Sequence, residues 1–263
     1  MKIFNIPDIT TDGSYTLGAV VTAILLTTHW NAVVIIPVVL LAGAIAGTLT
    51  GLIHTRLKID ALLAGILVMT GLYSINLTLL DRSNIPLLNV STIFSKMQIF
   101  AGSVYNNVFV ALLFIAIITL IVGYILRTDF GIAMRATGNS ESMTRALGIN
   151  NNSMKIIGLA IANSLTALSG YLVAQFQNFT DINMGIGIVI TGLGSVLIGE
   201  ALIKWWGITS IVGSLVIVLC GSILFQMVLA FTLSIGIDPN MLKLVTAIFV
   251  LIIVIIPRLK RTT

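Results

Sequence analysis

From Val104 to Leu126 the chain carries no charged side chain. A helix of about 20 apolar residues spans the roughly 30 Å of hydrocarbon in a bilayer. Comparable apolar stretches recur at about 14–29, 32–53, 61–80, 156–175, 184–203, 208–231 and 241–257. About eight such segments in one chain leave one fold class, an all-α polytopic membrane protein. A membrane barrel would show short stretches of alternating polarity, which this sequence lacks. Charged residues make up only 9% of the composition, and no polar stretch is long enough to enclose a core of its own. One membrane domain over 1–263 is therefore expected. The 14–29 segment is short and has Gly13 and Gly18 at its start, which makes it a candidate broken or half-depth helix. The lone Cys220 lies in an apolar run and reads as a small apolar residue. The first eight residues show no apolar leader with a small-residue cleavage site.

Residues 127–155 interrupt this pattern and divide the chain into a first half, 1–126, and a second half, 156–263. Inside the interruption both ends of a short helix are marked. Asn139 or Ser140 can cap its N-terminus, and Glu141 in the first turn suits the helix dipole. Arg145 lies near the other end, where Gly148 is placed to take a left-handed stop with Ile149 folding back on Met143. Met143, Ala146 and Leu147 share one side. Nothing else in the loop offers this apolar side a surface to bury against. Two readings follow: a satisfied surface helix, or a peg that docks another protein.

Basic residues set the orientation. With 127–155 in the cytoplasm, alternation places Lys2, Arg56, Lys58, Arg127, Arg135, Arg145, Lys155, Lys204, Arg258, Lys260 and Arg261 inside. Arg82, Lys96 and Lys243 fall outside. Both termini are then cytoplasmic, and 81–103 forms the main outer loop, with a short interfacial helix within 93–100. The net charge of +5 thus reports topology. Nucleic-acid binding would need a basic face with interleaved aromatics, and there is none. The halves also echo one another. Asp8-Ile9 and Asp181-Ile182 each precede a glycine-containing run, and Ile59-Asp60 and Ile237-Asp238 each open a later span. On this topology the first Asp-Ile pair is inside and the second outside, which predicts two inverted repeats.

Gly43, Gly47 and Gly51 lie on one helix face, as do Ala162, Thr166 and Gly170, and either trio lets another backbone approach closely. Polar residues within the spans are Asn76, Asn163, Ser164, Thr191, Ser195 and Gln226. They divide between lining a solute pathway and bonding helix to helix. No lysine, arginine or carboxylate falls clearly mid-span, which argues against ion coupling within the chain. Gly192-Leu-Gly-Ser195 has the look of an intramembrane serine site, but neither His29 nor His54 is placed as its base. Two histidines and one cysteine make no zinc site. No Gly-x-x-x-x-Gly-Lys-[Ser/Thr] phosphate loop is present, so no ATP or other cofactor is expected on this chain.

Arg135-Ala-Thr-Gly138-Asn-Ser-Glu-Ser-Met-Thr-Arg145-Ala-Leu-Gly148-Ile resembles the cytoplasmic loop of ABC-importer permeases of the branched-chain amino acid/ribose type. That loop reads approximately Arg-Ala-x-Gly-Asn-x-x-x-Ala-x-Ala-x-Gly-Ile. Asp8-Ile-Thr-Thr-Asp12-Gly13-Ser14-Tyr-Thr-Leu-Gly18-Ala resembles the family's early Asp-Leu-Thr-Val-Asp-Gly-Ser-x-x-Leu-Gly-Ala, in its amino-acid-type variant. The resemblance covers essentially the whole chain. It implies a transport subunit, not an enzyme, working by alternating access. Its expected partners are a separate cytoplasmic ATPase that binds the ATP, an extracytoplasmic solute-binding protein, a second permease copy or related permease, and membrane lipid. The implied solute is small, an amino acid such as a branched-chain or aromatic one, with sugars and nucleosides open. The implied ATPase-coupling residues are Arg135, Gly138, Glu141, Met143, Arg145, Ala146, Leu147 and Gly148. Two departures stand out: Thr144 replaces a small residue, and Met1 begins where a preceding family helix would end. A stand-alone secondary carrier with the same repeats is the alternative.

Overall fold

The computed structural model describes residues 4, 6–88, 90–98, 103–208, 210–236, 238 and 241–259. Lys2, Ile237, Lys260 and Arg261, with Ile99 and Phe100 of the expected outer-loop helix and Met1, Ile3 and Asn5 of the N-terminal stretch, lie outside the described residues. The chain forms two compact units, Met1–Ile118 with Thr128–Ile186, and Thr119–Arg127 with Gly187–Thr263.

The first unit is built around α1 (Thr10–Thr27), with thirteen of its residues buried. Around it stand α2 (Ala32–Arg56), α3 (Ala61–Leu80) and α8 (Asn151–Gln177). The expectation of a broken α1 is corrected here. The helix is unbroken, and it begins four residues before the apolar run, at Thr10 rather than at residue 14. Its glycines admit neighbours instead of breaking it. A Cβ at Gly18 would fall on the Ala167 carbonyl of α8, and one at Gly13 would meet Leu72 of α3 at 3.0 Å.

The glycine ladder of α2 faces α8. Cβ atoms at Gly43, Gly47 and Gly51 would strike the backbone of Asn163, Leu159 and Ile156 in turn, so the two helices run antiparallel with backbones in contact. The second trio is corrected. Of Ala162, Thr166 and Gly170 only Gly170 is buried, against Tyr15 of α1. The packed stripe of α8 is Leu159, Asn163, Ala167 and Gly170, because a 3.6-residue turn alternates steps of four and three.

Polar caps start these helices. Asn31 accepts from Val33 N at 3.3 Å, Asp60 from Leu62 N at 2.9 Å and Asn150 from Ser153 N at 3.2 Å. Asp81 and Asn178 stop α3 and α8 in the left-handed region, at φ 57° and 60°, where short polar side chains are tolerated. Strands β1 (Asn84–Pro86) and β2 (Phe179–Asp181) follow these stops and pair antiparallel, Ile85 opposite Thr180. The outer-loop helix is α4 (Ile93–Lys96), capped by Thr92. Ile93 N donates to Gln175 Oε1 of α8 at 2.8 Å, and Asn106 of α5 (Ser103–Arg127) donates to Phe94 O at 3.0 Å.

The interruption at 127–155 holds α6 (Asp129–Asn139), which the sequence reading left as loop, then α7 (Glu141–Ala146) and the first residues of α8. In the second unit α9 (Ile188–Trp206) packs on α10 (Ile211–Ser234) and α11 (Leu242–Leu259). Gly199 and Gly221 admit close approach there, and Phe225 is fully buried beside Gly194. Among the described residues six helices, α2, α3, α5, α8, α9 and α10, are long and apolar enough to cross a membrane, rather than about eight. α1 is left out of that set, with Asp12 and six hydroxyl residues from Thr10 to Thr22.

Candidate functional site

Ser140 caps α7, its hydroxyl accepting from Met143 N at 3.4 Å. At the other end Gly148 takes φ 80°. Its N–H donates to Arg145 O at 3.1 Å, and Ile149 N–H donates to Thr144 O at 3.0 Å, the paired bonds of a left-handed helix stop. α7 therefore ends where the sequence places its end. Its apolar side is uncovered, as the sequence reading has it, and the opposite side is the packed one. α6 and α8 pack on α7, and the buried residue is Thr144, at 1% exposure. Met143, Arg145, Ala146 and Leu147 all face outward, with Met143 at 64% and Leu147 at 67%.

Thr144 is the departure from the family motif, and it is an anchor. Its hydroxyl lies 2.8 Å from Asn151 Oδ1, with the Ser140 and Glu141 carbonyls at 3.1 and 3.2 Å. Asn151 Nδ2 donates to Glu141 O at 2.7 Å, and Lys155 Nζ pairs with Glu141 Oε1 at 2.6 Å. Sequence reasoning passed over Asn151, one of three consecutive asparagines. Arg135 and Gly138 lie on α6, both half-buried, and Arg135 Nε donates to Gly131 O of its own helix.

A second cluster lies at the start of α1. Asn163 of α8 is fully enclosed; its Nδ2 donates to Asp8 Oδ2 at 2.8 Å and to Leu159 O at 3.0 Å, and its Oδ1 accepts from Ser14 Oγ at 2.7 Å. Asp8 also accepts from Thr10 N at 3.0 Å, and the Thr10 and Thr50 hydroxyls lie 2.7 Å apart. The buried carboxylates here, Asp8 and Asp12, were outside the spans on hydropathy because they precede the apolar run. Asn76 of α3, 1% exposed, donates to Gly13 O at 3.3 Å, and its Oδ1 has no hydrogen-bond partner among the described residues. Asn76 and Asn163 thus grip α1 at adjacent residues. Ser164 donates to Leu40 O of α2 and Ala160 O of its own helix, both at 2.9 Å. In the second unit Thr191 bonds Ile188 O and Ser195 bonds Thr191 O, each within α9, whereas Gln226 is exposed on α10. The polar candidates thus divide between the two units.

Several helices long enough to span a bilayer, packed on glycine faces, make this a multi-pass membrane protein. Residues 1–255 match the family profile described as "Branched-chain amino acid transport system / permease component". The chain belongs to this permease family and is the translocation subunit of an ABC importer for a small solute. It is 40% identical over 250 residues to the tyrosine transport system permease protein of Clostridioides difficile, covering 95% of this chain and 81% of that one. An uncharacterised protein of Rickettsia prowazekii is 34% identical, with 95% and 88% covered. The ribose import permease protein of Haemophilus influenzae is 30% identical over 63% of this chain and 51% of its own. No solved structure matches the chain significantly.

Proposed function

We propose that α7 is the seat of a separate cytoplasmic ATPase and that this chain carries an amino acid, aromatic or branched-chain, handed over by an extracytoplasmic solute-binding protein. The carrying observation is the presentation of α7. Met143, Arg145, Ala146 and Leu147 project outward from a helix capped at both ends and bonded to α8. An apolar patch held rigid before binding loses little conformational entropy on docking. Arg135, Gly138, Glu141 and Gly148 shape and support that patch. ATP binds to the partner and not to this chain, whose task is transport. A second copy or related permease completes the pathway, and lipid covers the exposed apolar flanks of α2, α3 and α5.

The 40% identity with a tyrosine permease supports an amino acid as solute. The peg end of α8 is assigned to the cytoplasm with both termini. In support, Phe4 lies against Gly158 near that end. The docking role is tested by purifying Ala146→Asp and Leu147→Asp variants. Each loses the ATPase from the complex while the permease itself stays folded, and unchanged recovery of ATPase ends the assignment. Uptake of radiolabelled tyrosine, competed by unlabelled leucine, tests the solute class; uptake of radiolabelled ribose with none of tyrosine or leucine refutes an amino acid.

A further inference from the structure

Four residues of chain, Leu147 to Asn150, separate α7 from α8, with Gly148 among them in the left-handed region. A helix tethered only by such a loop would swing on it. α7 is not left to swing. Asn151 is 4% exposed, and its one amide reaches α7 at two points, accepting from the Thr144 hydroxyl and donating to the Glu141 carbonyl. One turn further along α8, Lys155 pairs with the Glu141 side chain. Residues four apart share a helix face, so these contacts clamp α7 to one side of α8.

α8 then runs without interruption to Gln177, 27 residues or about 40 Å at 1.5 Å each. Its contacts with α2 and α1 are backbone against glycine at Gly43, Gly47 and Gly18. Such a face carries few interlocking side chains to resist sliding. The side chains that bond across it are Asn163, whose amide holds both Asp8 and Ser14 at the start of α1, and Ser164 and Tyr171, whose hydroxyls donate to Leu40 O and Ala32 O of α2. Of these, Asn163 is the one that ties α8 to the start of α1, and it gives a displacement of α7 a bonded route there.

We propose that Thr144 and Asn151 are positioning residues that convey movement of α7 to α8, and through Asn163 to the Asp8–Ser14 end of α1. This rests on α7 being the ATPase seat. It goes beyond that reading in giving the buried side of the helix a role separate from docking.

The experiment uses the full complex with its ATPase in proteoliposomes. An environment-sensitive fluorophore is placed on Ala162→Cys, an exposed position of α8, in a Cys220→Ser background. Binding of ATP shifts the fluorescence in this parent. In Thr144→Val, which keeps the shape and the outward face, the ATPase remains bound and hydrolyses ATP while the shift falls about tenfold, within the usual range of coupling between two sites. Asn151→Leu behaves alike, and Thr144→Ser, which keeps the hydroxyl, restores the shift. A full shift in Thr144→Val and Asn151→Leu overturns the proposal. So does loss of the ATPase from Thr144→Val, because the residue would then serve only to shape the docking face. A parent complex that retains no ATPase refutes the seat itself, and this proposal with it.

Discussion

Asn163 spends every polar atom it has, donating to Asp8 and Leu159 and accepting from Ser14, with no solvent access. Replacing it by leucine conserves approximate volume but strips partners from a buried carboxyl and a buried hydroxyl. Each group left unpaired costs about 1–3 kcal/mol, and more if charged. Asn76 presents the opposite balance. It makes one long bond, to a Gly13 carbonyl that α1 can also serve from within, and it buries an acceptor with no partner among the described residues. Asn76→Leu should therefore change stability by no more than about 1 kcal/mol, whereas Asn163→Leu loses roughly 2–5 kcal/mol. Thermal unfolding in detergent compares them directly. Equal losses would show that the Asp8 node contributes nothing special. A stable Asn76→Leu protein that no longer takes up solute would place Asn76 in transport rather than in packing.

At the scale of elements, close backbone approach decides which glycines matter. A Cβ at Gly18 collides with the Ala167 carbonyl, while Gly71 on α3 has no atom within 4 Å of the corresponding position. Gly18→Ala must part α1 from α8 and should cost about 3 kcal/mol or more, within the range for overpacked cores. Gly71→Ala should be neutral or stabilising by up to about 1 kcal/mol, through helix propensity alone. Unfolding midpoints of the purified variants check both, and a tolerant Gly18 would contradict the packing. The positions of the spanning helices were legible in the sequence because hydropathy reports them directly: the 61–80 segment coincides with α3. The stop of α7 was legible because Gly148 has few other local uses. What hydropathy hid were elements defined by tertiary bonds. α6 is amphipathic rather than apolar, and Met134 and Thr137 bury only because α7 and α8 lie beside it. Asp8 and Asn151 read as polar residues outside the spans, and only long-range partners, 155 residues away for Asp8, bury them. No local pattern distinguishes an anchoring asparagine from its two neighbours in Asn150-Asn151-Asn152.

For the molecule as a whole, orientation follows from pairing within the first unit. β1 follows the end of α3 and β2 follows the end of α8, and their antiparallel pairing sets those two helix ends on one side. α7 joins the opposite end of α8, and at about 40 Å that helix exceeds the roughly 30 Å of hydrocarbon. The peg and the two-stranded sheet therefore face opposite compartments. α2 runs antiparallel to α8 along the glycine ladder, which brings Arg56 and Lys58 to the peg end with Arg135, Arg145 and Lys155. Arg82 and Lys96 remain beside the sheet. Because positive charge is retained in the cytoplasm, the proposed orientation predicts the outcome of labelling with single cysteines in a Cys220→Ser background. A membrane-impermeant maleimide added to intact cells should modify Leu88→Cys, a 79% exposed site just past β1, and leave Met143→Cys untouched. Inside-out vesicles should give the reverse pattern. Labelling of Met143→Cys in intact cells would place the peg outside, where no ATP-hydrolysing subunit could reach it, and would refute the coupling role of α7 together with the orientation.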